Sequence, residues 1–270
     1  MSNTEQQTVF TQITVSVDGH RVSARIGGEG TPIILFHSLL ADDTSFDRIA
    51  GPLASTHKVV ILNLPGFGAS DRVDGGVEAM ADRLAGAIGK MELGQKPIFL
   101  GNGYGGFIAL MAAIRHPGIA ERLVLADSGA AFSEAGRAAF VGMSAGARAK
   151  GLAGISDVAM RRLFSPAYQA EHPALLEERR RRFIEVDLET FHNACNALAN
   201  LDMRGQLSSV TVPVLVLAGE FDEATPPDMS RELAAGLPNA ELHILPGCAH
   251  VPQLQEPQLF MSAIAKFIGG

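Results

Sequence analysis

The stretch Gly101-Asn102-Gly103-Tyr104-Gly105-Gly106 follows the apolar run Ile98-Phe99-Leu100 and opens an amphipathic segment that continues to His116. A strand that turns into a helix through glycines has two readings. As Gly-x-Gly-x-x-Gly it is a dinucleotide fingerprint, and Asp127 at the next strand end supplies the acid such a site needs about twenty residues later. As Gly-x-Ser-x-Gly it is a nucleophile elbow whose middle serine has become Gly103. The hexapeptide alone does not choose. The rest of the chain does, because an elbow is followed by an acid and then a histidine after later strands. Leu215-Val216-Leu217-Ala218-Gly219-Glu220-Phe221-Asp222 and then Leu245-Pro246-Gly247-Cys248-Ala249-His250 meet that order. A dinucleotide fold, and with it a nicotinamide-dependent oxidoreductase, would carry its fingerprint in the first strand–helix–strand unit, whereas several strands precede this one.

Working outward, short Val/Ile/Leu runs alternate with amphipathic stretches, the pattern of an α/β fold with a mostly parallel sheet and helices on both faces. A hairpin is expected from Thr8 to Val17 and His20 to Ile26 around Asp18-Gly19, a pair suited to the tight turn between twisted strands. Buried parallel strands are expected at Ile33 to His37, Val59 to Leu64, Ile98 to Gly101, Leu123 to Ala126, Val214 to Gly219 and Glu241 to Leu245. Helices are expected at Thr44 to Ala54, Val77 to Met91, Tyr104 to His116, Asp228 to Gly236 and Pro257 to Ile268. From Ser128 to Ser209 the alternation stops and helical periodicity takes over. An unstructured loop of that length is improbable, so residues 128–209 are expected to form a helical cap over a core made of residues 1–127 and 210–270. The run Glu177-Glu178-Arg179-Arg180-Arg181-Arg182 is expected to be a solvated helix face.

With these residues in place the chain resembles the α/β-hydrolase family over nearly its whole length. Ile34-Leu35-Phe36-His37-Ser38-Leu39 resembles the family's oxyanion loop, with Ser38 where glycine is more usual. Asn63-Leu64-Pro65-Gly66-Phe67-Gly68-Ala69-Ser70 resembles its Asp-x-Pro-Gly-x-Gly-x-Ser turn, with Asn63 for Asp, and His116-Pro117 closes the helix after the elbow. Within the family the similarity is nearest to 3-oxoadipate enol-lactonases. It is carried by the His-Ser-Leu loop, Arg162-Leu163-Phe164-Ser165-Pro166, the stretch from Cys195-Asn196-Ala197-Leu198 to Leu201-Asp202-Met203-Arg204, and Ala218 to Asp222 through Thr225-Pro226-Pro227. The resemblance implies an oxyanion hole from the backbone N–H groups of Leu39 and Tyr104. It also implies a small carboxylated substrate, with Ser38, His37, Asn102, Phe164, Arg162 and Val251 around the pocket. Arg137, Arg148, Arg161 and Arg204 join Arg162 as candidates for a bidentate contact with a substrate carboxylate.

Gly103 departs from that family pattern. An elbow holds its nucleophile at positive φ, which glycine adopts without steric cost, so the exchange keeps the fold and deletes one oxygen. Asp222 can still fix the tautomer of His250, and an imidazole so held can act as a general base. The expected chemistry is therefore an ester or enol-lactone hydrolase lineage whose serine machinery is inactivated or replaced by non-covalent acid–base work, either activating water or moving a substrate proton in a lyase or isomerase manner. Water, or an acidic substrate proton, would enter the space left by the hydroxymethyl group. A binding protein on the same scaffold is the alternative, and a dinucleotide oxidoreductase a distant one. Ser38 is near the hole but lacks the geometry of an elbow, Cys248 is expected to be a buried apolar residue, and Asp127 a structural or reserve acid.

Composition sets the outer bounds. The chain has 270 residues, of which 47% are hydrophobic and 19% charged, enough to bury a large core. Its formal charge of -7 gives no attraction for a phosphate backbone, so nucleic acid is not an expected partner. Cys195 and Cys248 make no disulfide framework, and the 8 His show no zinc spacing, so no metal and no cofactor is expected. No leader-like or membrane-length apolar run is seen, and the cytoplasm is the expected compartment. A homodimer is left open.

Overall fold

Thr31-Pro32-Ile33-Ile34-Leu35-Phe36 has apolar residues in both alternating sets, so a strand made from it must be covered on both sides. The computed structural model, which describes residues 9–269, shows this covering. The strands are β1 (Thr11–Val17), β2 (His20–Gly27), β3 (Thr31–Phe36), β4 (His57–Leu62), β5 (Ile98–Asn102), β6 (Arg122–Ala126), β7 (Val214–Gly219) and β8 (Ala240–Leu245). They form one sheet in the order β1-β2-β4-β3-β5-β6-β7-β8. The pairs β1–β2 and β2–β4 are antiparallel and the rest parallel. This is the expected α/β-hydrolase architecture.

The helices are α1 (Asp47–Ala54), α2 (Val77–Lys90), α3 (Tyr104–Arg115), α4 (Glu134–Lys150), α5 (Ser156–Leu163), α6 (Pro166–Glu171), α7 (Pro173–Ile184), α8 (Leu188–Asn200), α9 (Pro227–Gly236), α10 (Pro252–Gln255) and α11 (Pro257–Ile268). Ile33 and Leu35 pack with Ile49 of α1 and Phe260 and Ile264 of α11. Ile34 and Phe36 pack into the larger layer with Leu84 of α2 and Phe107 of α3. Alternate residues of one strand thus feed two cores. Five helices, α4 to α8, fill the stretch between β6 and β7. Their starts follow from local chemistry: the side chains of Ser133, Ser165 and Asp187 accept hydrogen bonds from backbone N–H groups of α4, α6 and α8, satisfying donors that have no partner inside the helix.

Asp18 and Gly19 take φ of 50° and 81° between paired Val17 and His20, as a tight hairpin turn requires. Thr8, the expected start of this strand, lies outside the described residues, and pairing starts at Thr11. The helix expected from Thr44 begins instead as a 3-10 turn, Asp43–Phe46, because the Asp42 carboxylate accepts from Thr44 N and caps it there. The fourth strand ends at Leu62 rather than Leu64, since Asn63 N donates to Ser23 O and Ser70 Oγ donates to Asn63 O, drawing the chain away.

The Glu/Arg run is not simply a solvated face. Arg179 is buried and donates to Asp42 and Thr44, and Arg182 also reaches Asp42, so α7 is tied to the loop after β3. Among the described residues, no helix is long and apolar enough to cross a membrane.

Candidate active site

Parallel strands all deliver their carboxyl ends to one edge of the sheet, where open α/β sheets bind ligands. Here β3 leads to Ser38 and Leu39, β5 to Gly103, β7 to Asp222 and β8 to His250. The turn between β5 and α3 holds Gly103 at φ 53° and ψ -120°. Gly105 is required for another reason, because a Cβ there would run into the Phe36 carbonyl, and its own N–H donates to His37 O at 3.0 Å. The glycine spacing that suggests a dinucleotide site thus serves close packing of the turn on β3.

Asp127, the acid that site would need, cannot serve it. It is buried, it accepts from Gly219 N at 2.7 Å, and its other oxygen has no partner among the described residues. Burial and the neighbouring Asp222 charge raise its pKa well above the carboxylate range, so it retains a proton.

His250 Nδ1 donates to Asp222 Oδ2 at 2.9 Å. Asp222 is fully engaged. Its Oδ1 accepts from Ala224 N at 2.7 Å and Thr225 N at 3.1 Å, and its Oδ2 also accepts from Thr225 Oγ1 at 2.6 Å. Burial alone would raise its pKa, but the imidazole and the Thr225 donors outweigh that and hold it below the ordinary value. Of the two neighbouring carboxyls, Asp222 is therefore the charged one and Asp127 the neutral one. The backbone of His250 is pinned as well, with N donating to Leu163 O at 3.2 Å and O accepting from Asn102 Nδ2 at 2.8 Å, while Gln253 Nε2 holds the Asn102 carbonyl. Gln253 escapes sequence reasoning because it belongs to no spaced motif; Thr225 enters there only within the enol-lactonase resemblance, and its place three residues after the acid is a signal visible only once the acid is known.

With Nδ1 protonated, Nε2 is an acceptor, and the hydroxyl that faces it belongs to Ser38, at 3.2 Å. A Cβ built on Gly103 would lie 2.6 Å from Ser38 Oγ and 2.7 Å from His250 Nε2. A hydroxymethyl group at 103 would therefore press on Ser38 and the imidazole edge.

A cavity of about 30 Å³ opens on this group, room for a water or two. Phe107, Phe132, Phe140, Met143 and Leu198 make its wall apolar, and Leu39, Tyr104, Ser38, Thr225 and Arg162 complete it. The backbone N–H groups of Leu39 and Tyr104 hold no protein acceptor among the described residues, so both are available to an oxyanion.

The other expected pocket residues lie behind this wall. His37 is buried, accepting from Leu64 N at 3.2 Å and donating from Nδ1 to Ser38 O at 2.9 Å; it braces the loop, and burial lowers its pKa so that it stays neutral. Asn102 holds the His250 backbone, Phe164 stacks on Tyr168, and Val251 is enclosed in the core. Of the arginines, Arg137 donates to Phe132 O, Arg148 pairs with Glu189 and Arg204 with Asp202, whereas Arg162 lines the cavity. Arg161 is exposed and is not among the cavity residues. Burial pushes the Cys248 and Cys195 thiols up to about 12, which leaves them un-ionised. Among the described residues no group of three or more His, Cys, Asp or Glu is arranged to hold a metal ion.

A family model described as alpha/beta hydrolase fold matches residues 31–257. The chain is 25% identical over 244 residues to 3-oxoadipate enol-lactonase 2 of Acinetobacter baylyi, covering 89% of this chain and 90% of that one. It is 28% identical over 256 residues to polyketide synthase ThaQ of Burkholderia thailandensis, covering 93% of this chain and spanning only 12% of that protein. Among solved structures, the enol-lactonase from Burkholderia xenovorans LB400 matches with a TM-score of 0.89 at 25% identity, over 96% of this chain and 100% of that one.

Proposed function

Because the chain belongs to the alpha/beta hydrolase fold family, we propose that it hydrolyses small esters or enol-lactones that carry a carboxylate, with the His250–Asp222 pair as its acid–base group and no oxygen contributed by residue 103. The observation that carries this reading is the 2.9 Å bond between His250 Nδ1 and Asp222 Oδ2 beside a cavity where two backbone N–H groups stand free. Asp222 keeps the imidazole in one tautomer and stabilises its cation, Nε2 takes a proton as the carbonyl is attacked, and Leu39 and Tyr104 N–H receive the charge that develops on oxygen. Arg162 at the cavity wall supplies the partner for a carboxylate, and the apolar wall takes the carbon chain. The names of the enol-lactonase relatives support the same substrate class.

Residues 128–209 act as the cap in this reading. The cavity, with room for a water or two, is too tight for such a substrate as it stands, so substrate enters by displacement of the helices carrying Phe140, Met143 and Leu198. The reaction needs neither metal nor cofactor, and the partner is a small molecule.

Turnover of activated esters, aliphatic lactones and carboxylated enol-lactones by the parent, H250A and D222N proteins tests this. Loss of activity on the order of a thousandfold in both variants is expected. The absence of an elbow hydroxyl favours one competing reading, a binding protein without turnover. Ligand-induced stabilisation that survives His250→Ala, with no hydrolysis by the parent, would establish it instead.

A further inference from the structure

We propose that Ser38 is the nucleophile of this site, so that the catalytic serine has moved from the elbow to the loop after β3; the idea rests on the His250–Asp222 reading above. Three observations converge on its hydroxyl. Ser38 Oγ stands 3.2 Å from His250 Nε2, the bond by which a base activates a serine. It lies 2.6 Å from where residue 103 would carry its Cβ, so the oxygen is in the region an elbow hydroxymethyl would fill. It lines the same cavity as Leu39 and Tyr104, whose N–H groups are unclaimed. No other side-chain hydroxyl among the described residues bonds Nε2, since Thr225 Oγ1 lies on the Nδ1 side.

The loop is also rigid enough to hold an attacking atom. His37 ties the Ser38 carbonyl to the Leu64 backbone, and Gly105 N fixes the His37 carbonyl to the start of α3. Such bracing replaces the rigidity that the sharp strand-to-helix turn gives an elbow serine.

Atoms balance in two half-reactions. Ser38 Oγ bonds to the acyl carbon as its proton passes to Nε2; the bond to the leaving oxygen breaks, and that oxygen takes the proton from Nε2. Water then adds to the acyl-Ser38 carbonyl, giving its proton to Nε2. The ester bond to Oγ breaks, Oγ recovers the proton, and the carboxylic acid leaves.

The test is a fluorophosphonate probe and p-nitrophenyl acetate applied to the parent, S38A, S38C and H250A proteins, read by intact mass, peptide mapping and steady-state turnover. Unfolding curves confirm that each variant is folded. A single adduct on Ser38 in the parent, its absence in S38A, and a fall in turnover on the order of a hundredfold or more in S38A and H250A are expected. An adduct on the new thiol of S38C, absent from an S38C/H250A double variant, would support the same geometry independently. Turnover within threefold of the parent in S38A, without any adduct, but lost in H250A would overturn Ser38 as nucleophile and leave the dyad acting on water. Turnover unaffected by H250A, or absent from the parent along with any adduct, would overturn both.

Discussion

Replacing Gly103 by serine restores the elbow hydroxyl and should nonetheless harm the protein. The backbone there has φ 53° and ψ -120°, a region that costs a residue with a Cβ on the order of 1–3 kcal/mol. The new Cβ would also lie 2.6 Å from Ser38 Oγ and 2.7 Å from His250 Nε2. The first contact is relieved by turning one hydroxyl. The second is harder to relieve, because the imidazole is held by Asp222 and its backbone by Asn102 and Leu163. Overpacking of that kind adds about 1–3 kcal/mol. The sum, about 2–6 kcal/mol, corresponds to a fall in Tm of roughly 4–12 °C at about 2 °C per kcal/mol for a domain of this size. Ser38→Ala alone loses one hydrogen bond, about 1 kcal/mol. It also removes the nearer clash, so the double variant should be more stable than the two single changes added together, with a coupling of about 0.5–3 kcal/mol. Thermal and urea unfolding of the four proteins measure the cycle, and ester turnover reports whether the hydroxyl introduced by G103S gains the role of nucleophile once Ser38 is absent. An unchanged or higher Tm for G103S, or strict additivity across the cycle, would refute the geometry on which this rests.

Asp127→Asn should keep the bond from Gly219 N, since an amide oxygen accepts as a carbonyl does. Asp127 has a raised pKa through burial and the Asp222 charge, so the folded state binds a proton that the unfolded chain has released. Its contribution is complete below about pH 3.9 and is lost as pH rises through the folded value. The Asn variant should therefore show a flatter stability profile above pH 4 and equal or greater stability at pH 7, measured by urea unfolding across pH. Arg162→Met should raise KM about tenfold for carboxylated esters and leave neutral esters within threefold, read from paired substrates. Arg179→Met should cost about 1–3 kcal/mol by removing the buried ion pair to Asp42 and leaving only Arg182 to tie α7 to it. Burial would raise the Asp42 pKa, but the Thr44 hydroxyl and Arg179 hold it below the ordinary value, so its stabilisation is present above about pH 4 and lost as pH falls through the folded value. That acid limb should weaken in R179M.

The strands, the elbow and the order of acid and histidine were legible because each depends on local pattern. Ile33 to Phe36 reads as a doubly buried strand from composition alone, and Gly103 reads as an elbow from the residues on either side. Depth in the site was not legible. His37, Asn102, Phe164 and Val251 are all next to site residues in sequence, yet each faces the core or a backbone partner instead of the cavity. Adjacent residues point in different directions, and which one reaches the cavity depends on helices brought in from elsewhere. Phe140, Met143 and Leu198 come from α4 and α8 and carry no motif at all. Within the arginine run only Arg179 departs from a solvated face, and it does so because Asp42 meets it across a long sequence separation.

The relation of Ser38 to Gly103 can be argued one step further. Were Gly103 only a loss, its neighbours would keep the positions suited to a serine. Instead the imidazole edge and the Ser38 hydroxyl both lie within 2.7 Å of the Cβ position, so a serine cannot be restored there without moving them. The positive φ of the turn costs glycine nothing, whereas it would strain any other residue. The backbone of the elbow is then retained for what else it carries: the N–H of Tyr104, and the bond from Gly105 to His37 that sets the loop bearing Ser38. In such a site, glycine at 103 is the condition that lets a hydroxyl from the neighbouring loop reach the histidine.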